Sequence, residues 1–223
     1  MKSNNTLKMT TREWLKKNYL VIVSFFLGLY LLGAFFAPIL LKLGFESIAI
    51  VFYRIYGHCH QLAYRSWFLF GQQSFYPREL ANIDNLLTFE EASGINPLNL
   101  QKAREFFGNE NIGYKVALCQ RDIAIYVSLL LSAILYMIFN RKLKPLPLYL
   151  WIAIGLIPLA IDGISQFGGL SISFLNWLPA RESTPFLRTI TGCLFGFSTG
   201  FCLFPLIDVS FSNNNKNNGN YVN

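Results

Sequence analysis

The stretch YLVIVSFFLGLYLLGAFFAPILL, residues 19–41, decides how the rest of the chain is read. It carries no Asp, Glu, Lys, Arg or His. As a helix rising about 1.5 Å per residue, it is long enough for a hydrocarbon core of roughly 30 Å. Lys2, Lys8, Arg12, Lys16 and Lys17 precede it. A cleavable signal peptide has an apolar core of only about 7–15 residues, so this segment is expected to stay as a first transmembrane span.

Three more apolar runs follow. Ile123 to Phe139 opens at Arg121-Asp122, and Leu146 to Phe167 begins beside Pro145 and Pro147. Phe186 to Ile207 follows Ser183-Thr184-Pro185, an N-cap sequence with proline in the first turn. Of the 223 residues 53% are apolar and 14% charged, against about 25% charged in a soluble domain. The expected fold is therefore all-α: an integral membrane helical bundle of about four transmembrane helices, in one domain over residues 1–211. Residues 212–223, rich in Asn, read as a disordered polar tail.

Net charge is +7, spread over the ends and loops without an aromatic-basic nucleic-acid motif. It reads as an orientation signal and a contact with anionic membrane lipids, with no nucleic-acid partner. By the positive-inside rule the basic N-terminal segment, Arg141, Lys142, Lys144 and the tail with Lys216 face the cytoplasm. Four spans satisfy that parity. Both termini are then cytoplasmic in the plasma membrane of a bacterium or archaeon, and residues 42–118 and 168–185 are extracytoplasmic.

Phe45 to Phe70 is apolar but holds Glu46, Arg54, His58, His60 and Arg65. A charge at the bilayer centre costs about 2.5–3.5 kcal/mol, so this stretch is expected to be an amphipathic, interfacial helix or one tucked against the bundle. On such a helix Arg54, His58, Gln61 and Arg65 share a face. The insert 72–115 is expected to be extracytoplasmic with short helices at Phe89–Ala92 and Leu98–Phe107.

Four polar clusters lie beside these runs, all at the outer face in this topology. Intramembrane ionisable groups are costly and point to function. Arg65, Arg121, Arg181 and Arg188, with Gln61, Asp122 and Gln166, are the candidate ligands of an anionic substrate, since guanidinium offers paired donors. His58, Asp162 and Glu182 are the candidate acid–base groups. Arg188 lies in the first turns of the last span, where a cation opposes the macrodipole and calls for a nearby anion. Cys59 and Cys119 are a disulfide candidate; free thiols, or a metal held with His58 or His60 and Asp162, are the alternatives. No cofactor or metal site is assigned from the sequence. Gly192, Gly196 and Gly200 form two overlapping G-x-x-x-G units that suit close helix packing, within the fold or between subunits.

The ordered motifs are C-H-Q-x-x-x-R-S at Cys59–Ser66, C-x-R-D at Cys119–Asp122, D-G-x-x-Q at Asp162–Gln166 and R-E-S-T-x-x-x-R at Arg181–Arg188. Together they resemble a family of small prokaryotic membrane proteins, domain-of-unknown-function family twenty-eighty-five. The resemblance covers about residues 50 to 205. It implies a multi-helix membrane protein without an established activity, in which these clusters form one unit. Two readings follow: an outer site that binds or processes an anionic lipid or lipid-linked substrate, or a non-catalytic accessory or assembly subunit with protein partners in a membrane complex.

Overall fold

The computed structural model of the chain describes residues 11–167 and 181–219, with side chains through Phe211. Lys2 and Lys8, residues 168–180 of the expected outer loop and residues 220–223 of the expected tail lie outside the described residues.

The first span is helix α1, Thr11–Lys42. Its Val21, Phe25, Phe26, Leu29 and Leu32 are all more than half exposed. In a bilayer such a face meets acyl chains. A short helix α2, Glu46–Ile55, folds back on α1. It buries Ala49 and Tyr53 and leaves Ile48, Val51 and Ile55 outward, the tucked apolar helix that the charges required. α2 stops well short of Phe70. After Tyr56-Gly57 the chain unwinds, and Gln61 takes a left-handed conformation with φ 51°. The shared face of Arg54, His58, Gln61 and Arg65 therefore does not form, because the helix ends before His58.

Next comes strand β1, Ser66–Leu69, then helices α3, Phe89–Ser93, and α4, Leu100–Glu105. Both helices fall where short ones were expected. Thr88 and Glu91 cap α3 reciprocally, and the Asn99 side chain caps α4. Strands β2, Gly108–Asn109, and β3, Gly113–Cys119, complete an antiparallel sheet in the order β1-β3-β2. The all-helical expectation omitted this sheet. It sets Ser66 opposite Cys119, so the first two motifs are neighbours despite the long segment between them. The segment has its own core, with Tyr64, Phe68, Tyr76, Phe89 and Ala103 buried together. Gly113, φ 80°, passes so close to Leu69 and Gly71 that any Cβ there would meet their backbone.

Lys115 of β3 is fully buried. Its ammonium donates to the carbonyls of Gln61, at 2.8 Å, and Arg104, and lies 5.1 Å from the centre of the Phe107 ring. It thereby joins the α2–β1 turn to α4. Burial pushes its pKa down to about 7.

The second span, α5, Gln120–Ile138, leaves β3 directly. The third region is α6, Leu148–Trp151, a π-helical segment over Ile152–Leu156, and α7, Ile157–Ile164. The π segment lies just ahead of Pro158, which has no N–H to give to the helix. This apolar stretch, Leu148–Ile164, is shorter than the others, about 25 Å long by its residue count. The last helix, α8, Pro185–Gly219, continues beyond Ser212, where the polar tail was placed. Among the described residues three helices are thus long and apolar enough to cross a bilayer, and the fourth is a shorter interrupted one.

α5 and α8 form the tightest helix pair. Gly192 faces Ala124, Gly196 faces Ser128 and Gly200 faces Ser132, so two four-residue ladders of small side chains mesh in parallel. The glycine face is consumed inside the molecule. At the far end of the bundle, Arg141 donates to the carbonyls of Lys16, 2.7 Å, and Lys17, 2.6 Å, and lies 3.9 Å from Asp208. Tyr136 donates to Asp208 at 3.0 Å. The basic flank of α1, the Arg141 turn and the end of α8 therefore share one end, and the four motifs occupy the other.

Candidate functional site: two carboxylates among five arginines

The site is assembled at the start of α8 and the start of α5. Thr184 caps α8, its Oγ1 accepting from Leu187 N–H at 3.3 Å, and Pro185 opens the helix. That cap leaves Glu182 and Ser183 turned inward, both buried. Glu182 accepts from Arg65 Nε at 2.8 Å and Nη2 at 3.2 Å, from Arg78 Nη1 at 3.2 Å, and from Arg188. Arg188 is 2% exposed. Its counter-ion is the carboxylate that its place near the positive end of α8 called for. Arg188 Nη1 also donates to Gln120 Oε1 at 3.3 Å, and Gln120 Nε2 donates to the Ser66 carbonyl at 3.2 Å. The ring of Tyr64 lies under Arg65, at 5.6 Å, and Arg78, at 5.4 Å.

Asp162, on the last turn of α7, is the second centre. It pairs with Arg121, lies 3.6 Å from Arg181, and accepts from Ser183 Oγ at 2.9 Å. Its own carbonyl accepts from Ser165 and Gln166. Ser183 and Glu182 are adjacent in sequence, so the two carboxylate centres are joined through α8's entry. Five guanidinium groups meet Glu182, Asp162 and, nearby, Asp122. Positive charge is in excess.

A cavity of about 180 Å³ opens among them, lined by His60, Leu62, Arg65, Cys119, Arg121, Asp122, Gln166 and Arg188. Arg121 Nε and Gln166 Oε1 are buried there with no hydrogen-bonding partner among the described residues. Beside the cavity, Cys59 and Cys119 are free thiols whose sulfurs approach one another and the Asp122 carboxylate. The hydrogen bond between them holds the Cys59 thiol below its ordinary pKa and raises that of Cys119.

Arg65, Arg121, Arg181, Arg188, Asp122, Asp162, Gln166 and Glu182 are thus brought together. Two of the named candidates stand apart. His58 is exposed with Nε2 2.7 Å from the Tyr30 hydroxyl, and the histidine on the cavity lining is His60. Gln61 spends its amide on the carbonyls of Tyr53, at 2.8 Å, and Ala117, at 3.0 Å. Arg78 and Gln120 join the site without being among the sequence candidates. Gln120 sits inside the second motif, whereas nothing around Arg78 distinguishes it from a surface arginine.

A family described as Predicted membrane protein (DUF2085) matches residues 101–202, which take in the last three motifs. An uncharacterized protein of the archaeon Methanocaldococcus jannaschii is 30% identical over 200 residues, which are 86% of this chain and 94% of that protein. No solved structure matches the chain.

Proposed function

We propose that this chain, which belongs to the DUF2085 family of predicted membrane proteins, binds a phosphate-bearing or carboxylate-bearing group, such as a lipid headgroup or lipid-linked phosphate, in its arginine-lined cavity. The observation that carries the reading is that Arg65, Arg121 and Arg188 line one cavity while the surrounding guanidinium groups outnumber the carboxylates. Buried charge without compensation is costly. A bound anion relieves that imbalance by accepting from the guanidinium groups that line the cavity. Glu182 and Asp162, each already held by arginines, act as positioning groups.

The test is titration of the detergent-purified full chain with an anionic phospholipid and, separately, with inorganic phosphate. Saturable, salt-sensitive binding is expected, with Arg121→Gln about tenfold weaker or worse, as for one lost charged hydrogen bond. Preference for the phospholipid identifies a headgroup, and equal binding a free anion. Identical titration of wild type and variant refutes the reading.

Loop charge supports an extracytoplasmic cavity, because Lys16, Lys17 and Arg141 gather at the opposite end. A reporter inserted after Lys142 and another after Asn223 are expected to be protected in intact cells. Accessibility of either from outside reverses the orientation. For the accessory-subunit reading, the glycine ladder of α8 is occupied by α5, which leaves the 72–115 segment as a docking surface.

A further inference from the structure

We infer that Cys59, Cys119 and Asp122 form a binding site for one divalent transition-metal ion of the zinc type, a site whose argument does not rest on the anion reading. The two sulfurs and a carboxylate oxygen of Asp122 all lie within 4.8 Å of one another. Ligands placed tetrahedrally at about 2.0–2.3 Å from an ion stand about 3.3–3.8 Å apart. Small closing movements therefore bring all three onto a single centre.

The donor types narrow the ion. Thiolate sulfur selects zinc and its neighbours, whereas magnesium and calcium take oxygen ligands. The backbone prepares the sulfurs. Cys119 is both the last residue of β3 and the N-cap of α5, and its Sγ accepts the Asp122 N–H at 3.4 Å. That places it at the start of a 19-residue helix, with its sulfur turned back onto the first turn of that helix. Asp122 follows within the same first turn. Cys59 is 4% exposed, its N–H donates to the Tyr56 carbonyl at 3.0 Å, and it packs in one cluster with Val116, Ala117 and Leu118. Cys119 thus sits on the sheet, Asp122 on the first turn of the helix that leaves it, and Cys59 on the turn packed against β3.

Charge and access agree. Two thiolates and a carboxylate carry three negative charges, one more than a divalent ion neutralises, and the excess faces arginines. His60, exposed on the lining of the same cavity, supplies a fourth ligand by side-chain rotation. His58 does not, since its Nε2 is engaged with Tyr30. A disulfide is the competing use of this cysteine pair. It requires sulfurs about 2.05 Å apart, yet both thiols are free, and it gives Asp122 no part.

The deciding experiment uses the full chain purified in detergent, stripped with a chelator and titrated with Co²⁺, then Zn²⁺. One Co²⁺ per chain is expected, with thiolate-to-cobalt charge-transfer absorption that Zn²⁺ abolishes. Cys59→Ser and Cys119→Ser should lose the absorption, Asp122→Asn should bind at least tenfold more weakly, and Cys193→Ser should match wild type. Two alkylatable thiols at these positions without a stoichiometric cobalt signal overturn the inference. So does recovery of Cys59 and Cys119 as a disulfide from protein extracted without reductant. The wild-type titration and thiol count decide the matter even where a serine variant fails to fold.

Discussion

Glu182→Gln is expected to lower the stability of the purified chain by about 3–5 kcal/mol, the range seen when one partner of a buried ion pair is removed. Glu182 and Arg188 each have side chains 3% exposed, so neither can turn to water. The amide keeps the shape and loses the charge, leaving Arg188 with Gln120 and the Tyr64 carbonyl as acceptors. Arg65 is better placed, being 30% exposed, and contributes less to the loss. Denaturant unfolding in detergent reads the effect. Adding Arg188→Met should recover part of it, because an apolar side chain leaves no stranded charge. A loss below about 1 kcal/mol in the single variant would mean the cluster is wetter than its burial implies.

Gly196→Val is expected to destabilise the helix pair as well. A Cβ at this position runs into the Ser128 hydroxyl and the Ile125 carbonyl, and the latter is backbone that no rotamer change can move. Forcing methyl groups into packed space costs about 1–3 kcal/mol, and more where helices must separate. Since α5 carries Arg121 and α8 carries Arg188, parting them also opens the cavity, so anion affinity should fall with the melting temperature. Gly28→Val in α1 is the control, because a Cβ there meets nothing within 4 Å. Similar melting temperatures for the two variants would show that the ladder is not what holds the bundle.

The helical spans were legible because apolar runs of spanning length have few alternatives in this composition, and the proline and N-cap signals at Thr184-Pro185 fixed where α8 begins. The convergence of the four motifs was legible from their one-sided placement. The small sheet was not. GYKVALC over β3 runs straight into the apolar helix α5, and a short strand beside a long span leaves no period of its own to read. Counting steps of four, three and four from Arg54 through His58 and Gln61 to Arg65 likewise assumed one helix where the chain turns at Gly57. Arg78 reaches Glu182 only because the sheet folds its segment back over the site. Such non-local consequences of strand pairing have no local sequence mark. Ala124, Ser128 and Ser132 did have one: their spacing on α5 repeats that of the α8 glycines, and reading both helices together pairs them.

The register that sets Ser66 against Cys119 has a corollary for how this architecture can vary. Once the two strands clasp, whatever chain bridges them behaves as a closed excursion, whose entropic penalty grows only with the logarithm of its length. A homologue could shed most of that excursion, surrendering Arg78 alone among the five cations, and still present the remaining four to the same acidic pair. Elaboration of the insert is in this way uncoupled from the charged chamber that its two strands frame.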